Sequence, residues 1–482
     1  MLRRTKIVAT LGPATTEEDS IRDIIAAGTD VVRLNFSHGN AEEHIARARA
    51  VRRIARSEGR TVAILADLQG PKLRIARFRE GKVNLAAGDQ FTLDTTWPKD
   101  AGTETCVGLD YEHLTQDVEP GDILLLDDGR IELAVQQVEG TSIACQVRLG
   151  GELSDNKGLN KRGGGLSAPA LTDKDRRDLK TAVELDTDYV AVSFTRCRED
   201  IDQTRALLRE CNSQAGVIAK IERAELVNDT DQLDKVIIAS DAVMVARGDL
   251  GVEIGDAELV GVQKHIIGRA RALNRVVITA TQMMESMVTS PIPTRAEVSD
   301  VANAVLDYTD AVMLSAESAV GRYPKEAIEA TARICVGAER QSSTHHSRHR
   351  INETMEKVDE AIALSAMYAA NHLEDVRAIV CMTETGATPL MMSRIKSSLP
   401  IFAFSRHLAT QARVTLYRGV QTVPFDSRTI PNEAINASVV LELERRGVIK
   451  AGDRVVITKG DYANAQGGTN TMKIVKAGSN IR

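Results

Sequence analysis

Eight short apolar runs, most of them followed by an amphipathic stretch, constrain this chain more than any other feature. They are KIVATLG (Lys6 to Gly12), DVVRLNFS (Asp30 to Ser37), VAILADL (Val62 to Leu68), YVAVSF (Tyr189 to Phe194), VIAKIE (Val217 to Glu222), AVMVARGD (Ala242 to Asp249), VVITATQ (Val276 to Gln282) and AVMLSAE (Ala311 to Glu317). Each has the length and near-continuous apolar character of a parallel strand covered on both faces. Between most neighbours the pattern turns helical, as in TEEDSIRDIIAAG, where Thr16 and Asp19 predict a capped start and Gly28 a stop. Eight strands alternating with helices predict an α/β fold, a (β/α)8 barrel. A doubly wound open sheet is the alternative, but no glycine-rich dinucleotide fingerprint follows the first strand.

One gap breaks the rhythm. From about Gly70 to Ser167 the text becomes short alternating stretches split by turns, among them GKVNLAAGDQFTLD, PGDILLLDDGRIELAVQQVEG and TSIACQVRLGG. This predicts a β-barrel-like insertion that leaves at the tip of strand three and returns before strand four, so it hangs over the carboxyl ends of the strands as a lid. After about Ser342 the polar stretch QSSTHHSRHRINE reads as a linker. A second α/β alternation follows: helix EKVDEAIALSAMYAANHL, then strands RAIVCM, PIFAFS, VQTVPF and DRVVIT, an open-sheet domain. The expected division is a barrel over 1–69 and 168–342, a lid over 70–167 and a C-terminal domain over 343–482. Three domains suit 482 residues at roughly 150 per domain.

Composition removes several function classes. A formal net charge of -6, with 27% charged residues, gives no reason to expect nucleic acid or an anionic membrane as partner, so any anion must be held by local cations. The six cysteines show no C-x-x-C spacing, which argues against a disulfide framework or a zinc site and for a reducing compartment. The start MLRRTK leads straight into a strand, and no apolar run reaches about 18 residues. The expectation is a cytoplasmic enzyme.

Active sites of such barrels form at the carboxyl ends of the strands. Arg33, Asn35 and Ser37 lie two apart at the end of strand two and share a face; Asp67 ends strand three and Ser193 strand four. Lys220 and Glu222 share a face at the end of strand five, Arg247, Gly248 and Asp249 close strand six, and Thr281 and Ser315 end strands seven and eight. Two carboxylates without histidine or cysteine, Glu222 and Asp249, suit a hard divalent cation such as Mg²⁺. Arg33 and Lys220 supply positive charge for a phosphoryl group, whose transfer depends mostly on positioning and charge stabilisation. Gly248 and Asp249, in a turn before a helix, offer backbone N–H groups to a substrate carboxylate. Together they point to a phosphorylated, metal-chelating acid.

Plainer readings exist for each residue alone. Lys220 with Glu222, and Arg247 with Asp249, read as salt bridges. Thr281 and Ser315 read as hydroxyls bonded to backbone, and Asn35, Ser37 and Asp67 as caps or turn residues. Convergence of so many polar strand ends on one mouth favours a site.

Longer motifs carry a resemblance: RLNFSHG (Arg33 to Gly39), the Gly70-Pro71 corner, NKGLN (Asn156 to Asn160), AKIE (Ala219 to Glu222), MVARGDLGVE (Met244 to Glu253), ATQMMESM (Ala280 to Met287) and PTRAEVSDVANAVLDYTDAVMLSAESA (Pro293 to Ala319). The chain resembles the pyruvate kinases from Lys6 to its end. The resemblance implies transfer of the phosphoryl group of phosphoenolpyruvate to ADP, giving pyruvate and ATP in glycolysis. It implies Mg²⁺, with Mn²⁺ as a substitute, usually a potassium ion, an effector domain and a homotetramer. It makes Lys220, aided by Arg33, the cation that neutralises the phosphoryl group in flight, and Glu222 and Asp249 the Mg²⁺ ligands. Thr281 and Ser315 would belong to the route that protonates the enolate. Arg74, Lys157 and His38 would meet nucleotide phosphates or ribose, with Thr10 and Pro13 beside the adenosine.

Two departures from the family pattern bear on function. The family's potassium site uses counterparts of Asn35, Ser37, Asp67 and the carbonyl of Leu68, with a glutamate just after the Gly-Pro corner. Here that position is Lys72, so the expectation is that its ammonium replaces the monovalent cation and potassium is not required. An ion-sized charge about 4 Å from a phosphoryl group is worth about 4 kcal/mol at an effective dielectric near 20. In the C-terminal domain, Thr383, Glu384, Thr385, Gly386, Ala387 and Thr388 follow a strand and open a helix, so their hydroxyls and N–H groups suit a phosphate. The family binds sugar phosphates or nucleotides at the matching loop, although the arginine often found there is Ala387 here and the closing loop GDYANAQGGTNTMK is its own variant. A phosphorylated sugar or nucleotide effector is therefore expected. Two rivals stand beside this reading: a Mg²⁺-dependent barrel lyase or aldolase acting on pyruvate-like acids, and a non-catalytic ligand-sensing relative, which would have lost Lys220 or a metal carboxylate.

Overall fold

A computed structural model of the chain describes residues 2–345, 354–461 and 467–479. Most of the expected linker, and the middle of the variant closing loop, lie outside the described residues.

Strict alternation along each strand decides which side chains reach the site. Eight parallel strands, β1 (Lys6–Leu11), β2 (Val31–Asn35), β3 (Ala63–Asp67), β4 (Tyr189–Val192), β5 (Gly216–Ile221), β6 (Ala242–Ala246), β7 (Val276–Ala280) and β8 (Ala311–Leu314), close in that cyclic order into a barrel. On β5, Val217, Ala219 and Ile221 pack outward in one core shared with the helices, while Ile218 faces the barrel interior. By the same period of two, Lys220 and Glu222 follow Ile218 on the inner face, as Arg33 and Asn35 follow Val31 on β2 and Asp67 follows Leu65 on β3.

Some local readings need correcting. The first helix, Glu18–Ala27, is preceded by Glu17 as N-cap without a side-chain hydrogen bond, so Thr16 and Asp19 do not cap it; Thr16 instead bonds Gly12 O. Gly28 does end it, at a φ of 123° that a side chain would strain. Strand six stops at Ala246, and Arg247–Ile254 is a helix, so Arg247 to Asp249 are its first turn and not a strand end.

Between β3 and the helix Asp173–Glu184 the chain builds the lid: a two-stranded ladder of Lys82–Leu85 with Gly151–Ser154, and a six-stranded sheet from Gln90 to Lys161. The exit is the Gly70-Pro71 corner. Gly70 has φ 68°, and a Cβ there would lie 2.7 Å from Ser193 Cβ, so only glycine lets the lid leave this close to strand four.

The C-terminal domain is a five-stranded sheet in the order Val420–Pro424, Ile401–Ser405, Val376–Met382, Arg454–Gly460, Thr469–Lys476. Its last strand is antiparallel and comprises the end of the stretch read above as a loop. Arg394 and Asp310, both fully buried, form an ion pair that joins this domain to the amino-terminal end of β8.

Candidate active site

Three strands bring an array of buried charges to one end of the barrel. Arg33 on β2 donates from Nε to Asp67 Oδ2 at 2.6 Å, and its other end is held by Thr10 Oγ1 at 3.1 Å. Lys220 on β5 lies 2.9 Å from Glu222 Oε1 and 3.5 Å from Asp67 Oδ1, and donates to Ser193 Oγ at 2.7 Å. Ser193 in turn donates to Leu68 O at 2.7 Å, which ties the tips of β3 and β4 to the lysine.

Electrostatics follow from this arrangement. Burial alone would raise the Asp67 carboxyl, but Lys220 and Arg33 overcome it and hold Asp67 below its usual range. Burial works against the Lys220 ammonium too, yet Asp67 and Glu222 more than offset it and push its pKa up, so it stays charged throughout the physiological range. Glu222 behaves differently: burial, with the charge of Asp249 adding to it, raises its carboxyl despite Lys220 and the bond from Phe194 N at 2.7 Å. Two carboxylates that repel one another in a recess are the arrangement a divalent cation relieves, and oxygen donors without histidine or cysteine suit Mg²⁺. Among the described residues no cluster of three or more acidic, histidine or cysteine ligands occurs, so such an ion would complete its shell with substrate and water.

These groups line a cavity of about 190 Å³ that also presents Asn35, Ser37, His38, Lys72, Arg74, Asp249, Thr281 and Ser315. The structure therefore unites most of the expected site. Gly248 lies in the first turn of Arg247–Ile254, which has no side-chain cap, leaving its leading N–H groups unclaimed by one. Asn35 Oδ1 accepts from Ser37 N at 3.1 Å, the ordinary turn role. Ser315 N is held by the fully buried Glu317 at 2.7 Å.

Other residues fall elsewhere. Lys157 is turned to Asp127, 2.7 Å away, and does not line the cavity with Arg74 and His38. Thr10 is buried, its hydroxyl spent on Leu314 O and Arg33, whereas Pro13 is exposed, so Thr10 here supports Arg33. Arg247 does not pair with Asp249 but with Asp300, at 2.7 Å. Asp249 is met by Lys72, whose Nζ lies 3.8 Å from Oδ1. Lys72 thus places its charge beside Asp249, while Asp67 is paired with Arg33 and Lys220.

A match over nearly the whole chain accompanies this geometry. The family model described as pyruvate kinase, barrel domain matches residues 2–328, and that described as pyruvate kinase, alpha/beta domain matches residues 360–475. The chain belongs to the pyruvate kinase family. It is 58% identical over 474 residues to pyruvate kinase II of Salmonella typhimurium, covering 98% of each chain. With a pyruvate kinase of Haemophilus influenzae it shares 55% identity over 98% of this chain and 97% of that one. A crystal structure of a pyruvate kinase from Cryptosporidium parvum superposes with a TM-score of 0.92 at 32% identity, covering 98% and 96%. As a pyruvate kinase the chain is a phosphotransferase of glycolysis with phosphoenolpyruvate, ADP and pyruvate as substrates and product. The family generally uses Mg²⁺. No helix among the described residues is long and apolar enough to cross a membrane.

The C-terminal loop also lines a cavity, of about 90 Å³, with Thr383, Glu384, Thr385, Ala387 and Thr388 on one side. Gly386, at φ 87°, caps the helix Ala387–Ser393. The hydroxyls of Thr383 and Thr385 already accept from Gly386 N and Ala387 N at 2.9 and 3.4 Å, and Thr388 bonds Thr469 at 2.9 Å. Not anticipated from the sequence are Arg406, just after the strand Ile401–Ser405, and Lys459, on the strand Arg454–Gly460, which also face this cavity; Arg406 holds Glu384 at 3.0 Å. Nothing local in sequence marks them, since they reach the loop only through sheet order.

Proposed function

We propose that the barrel mouth transfers the phosphoryl group of phosphoenolpyruvate to ADP with Mg²⁺ and without a requirement for potassium. The observation that carries this is the pair of cations, buried Arg33 and partly buried Lys220, set against Asp67 and Glu222 at the carboxyl ends of the strands. Lys220, held charged by its carboxylate neighbours, is a poor proton donor and a good electrostatic stabiliser. It neutralises the phosphoryl group in transit, with Arg33 orienting it. Glu222 and Asp249 would hold Mg²⁺, which when bound supplies charge neutralisation to substrate carboxylate and phosphate. The unclaimed N–H groups of Gly248 and Asp249 receive the substrate carboxylate. Thr281 and Ser315 line the route by which water protonates the enolate.

Arg74 and His38 take the nucleotide phosphates or ribose, with Pro13 and the Thr10 segment on the adenosine side; Lys157 joins them if it leaves Asp127 as the lid closes. Lys72, paired with Asp249 and not with Asp67, supplies a fixed positive charge to the mouth in place of the potassium that Asn35, Ser37, Asp67 and Leu68 would hold. The loop Thr383–Thr388, with Arg406 and Lys459, binds a phosphorylated sugar or nucleotide that activates the enzyme. Residues 1–69 and 168–342 form the catalytic unit, 70–167 the lid and 343–482 the effector unit, in a cytoplasmic homotetramer.

The full chain incubated with phosphoenolpyruvate and Mg²⁺ is expected to release pyruvate only when ADP is present, with ATP formed in equal amount, and to stop when EDTA removes the metal. Pyruvate released without ADP would instead support the lyase reading.

A further inference from the structure

The turn that carries Thr281 is held in an uncommon conformation by a residue outside the cavity. Thr281 and Gln282 have φ of 70° and 52°, and Thr281 is the one β-branched residue among the described residues with a positive φ. A branched Cβ crowds the neighbouring carbonyl there, so the surroundings must over-determine the conformation. They do so through Arg247. Its Nε donates to Ala280 O at 3.1 Å; one terminal nitrogen donates to Thr281 O at 2.6 Å and Met283 Sδ at 2.8 Å; the other donates to Asp300 Oδ1 at 2.7 Å and Gln263 Oε1 at 3.3 Å. All five N–H donors of the guanidinium are used, in a planar fork that a lysine cannot reproduce.

Arg247 is also the first residue of the helix whose next two residues are Gly248 and Asp249. One side chain therefore locks the start of that helix to the end of β7, and fixes the carboxylate cradle relative to the Thr281 hydroxyl. We infer that Arg247, anchored by Asp300, is a positioning residue that sets Thr281 for protonation of the enolate. This rests on the reaction proposed above and names the residue that organises its last step. Arg247 touches no substrate in this arrangement; its effect passes through the backbone carbonyls it holds.

The test uses the full chain with Mg²⁺ and measures two rates: ATP formation from phosphoenolpyruvate and ADP, and hydrogen exchange at the methyl carbon of pyruvate in deuterium oxide, which reverses enolate protonation. In Arg247→Lys, exchange relative to ATP formation is expected to fall about 10²-fold, the scale of a misplaced catalytic group. Asp300→Asn leaves the other four donors of Arg247 in place, and a smaller fall of about fivefold is expected. Circular dichroism and thermal melts show whether each variant folds. A folded Arg247→Lys with the parent ratio overturns the inference; if that variant does not fold, an unchanged ratio in Asp300→Asn does so. A parent chain that neither forms ATP nor exchanges hydrogen overturns the proposed reaction and the positioning role with it.

Discussion

At the scale of single residues, the site is a contest between burial and charge pairing. Asp67 and Glu222 are similarly buried, yet burial is overcome at Asp67, which faces two cations, and prevails at Glu222, which faces one cation and a second carboxylate. That difference favours Glu222 over Asp67 for the proposed Mg²⁺ site. Lys220→Met removes a cation that touches both. It is expected to lower kcat by about 10³-fold, at the upper end for loss of a transition-state donor, with KM for ADP little changed. Steady-state kinetics on the folded variant decide it, and an unchanged kcat would remove Lys220 from the reaction. These residues are legible in the sequence because strand alternation aims them at one face. Arg247 is not: an arginine and an aspartate two apart look paired, and only the helix starting at Arg247 turns its side chain away from Asp249 toward Asp300.

At the scale of elements, the joint between lid and barrel contains a group poised to titrate. Glu253, at the end of the helix that begins with Arg247, is buried; burial pushes its carboxyl up to about 7, against the pull of Arg223, the bond from Ala224 N and Asn160, while Glu225 adds to the rise. Its backbone carbonyl accepts from Gly163 N of the lid, and Arg223 reaches Leu166 O. A carboxyl raised in the folded state contributes stability below its unfolded pKa of about 4.5 that is lost as pH rises through about 7. Glu253→Gln is therefore expected to gain stability relative to the parent between pH 5 and pH 8, by up to about 3 kcal/mol. Denaturant unfolding at the two pH values measures this; a difference independent of pH would contradict it. The barrel strands, the lid's β character and the C-terminal alternation are all visible as apolar periodicity, whereas the last antiparallel strand, Thr469–Lys476, hides in a polar text. Its apolar burial is thin, with Val475 buried, Met472 partly covered and Ile474 exposed, so periodicity carries little signal there.

At the scale of the whole molecule, the two ends of the barrel have opposite roles. The carboxyl end gathers the charges of the site, while the amino end is bolted to the C-terminal domain by Arg394 and Asp310, with Arg418 stacked 4.4 Å from the centre of the Tyr308 ring. The helix Ala387–Ser393 runs from the candidate effector loop to that bolt, and β8 runs from the bolt to Ser315. The bolt is not legible in the sequence, because Arg394 and Asp310 lie far apart in the chain and each looks like a solvated charge. The charge balance of the mouth turns on Lys72, which the lid corner brings to Asp249. The most direct measurement is ATP formation from phosphoenolpyruvate, ADP and Mg²⁺ in buffer free of potassium and ammonium, for the parent and for Lys72→Glu, followed by a potassium titration. Replacement of potassium by the Lys72 charge predicts a parent that is active at once and changes less than about twofold on adding potassium, and a variant that needs the ion, as expected when one unit charge near the phosphoryl group is worth about 4 kcal/mol. A parent that is active only with potassium, or a variant that keeps full activity without it, would contradict it.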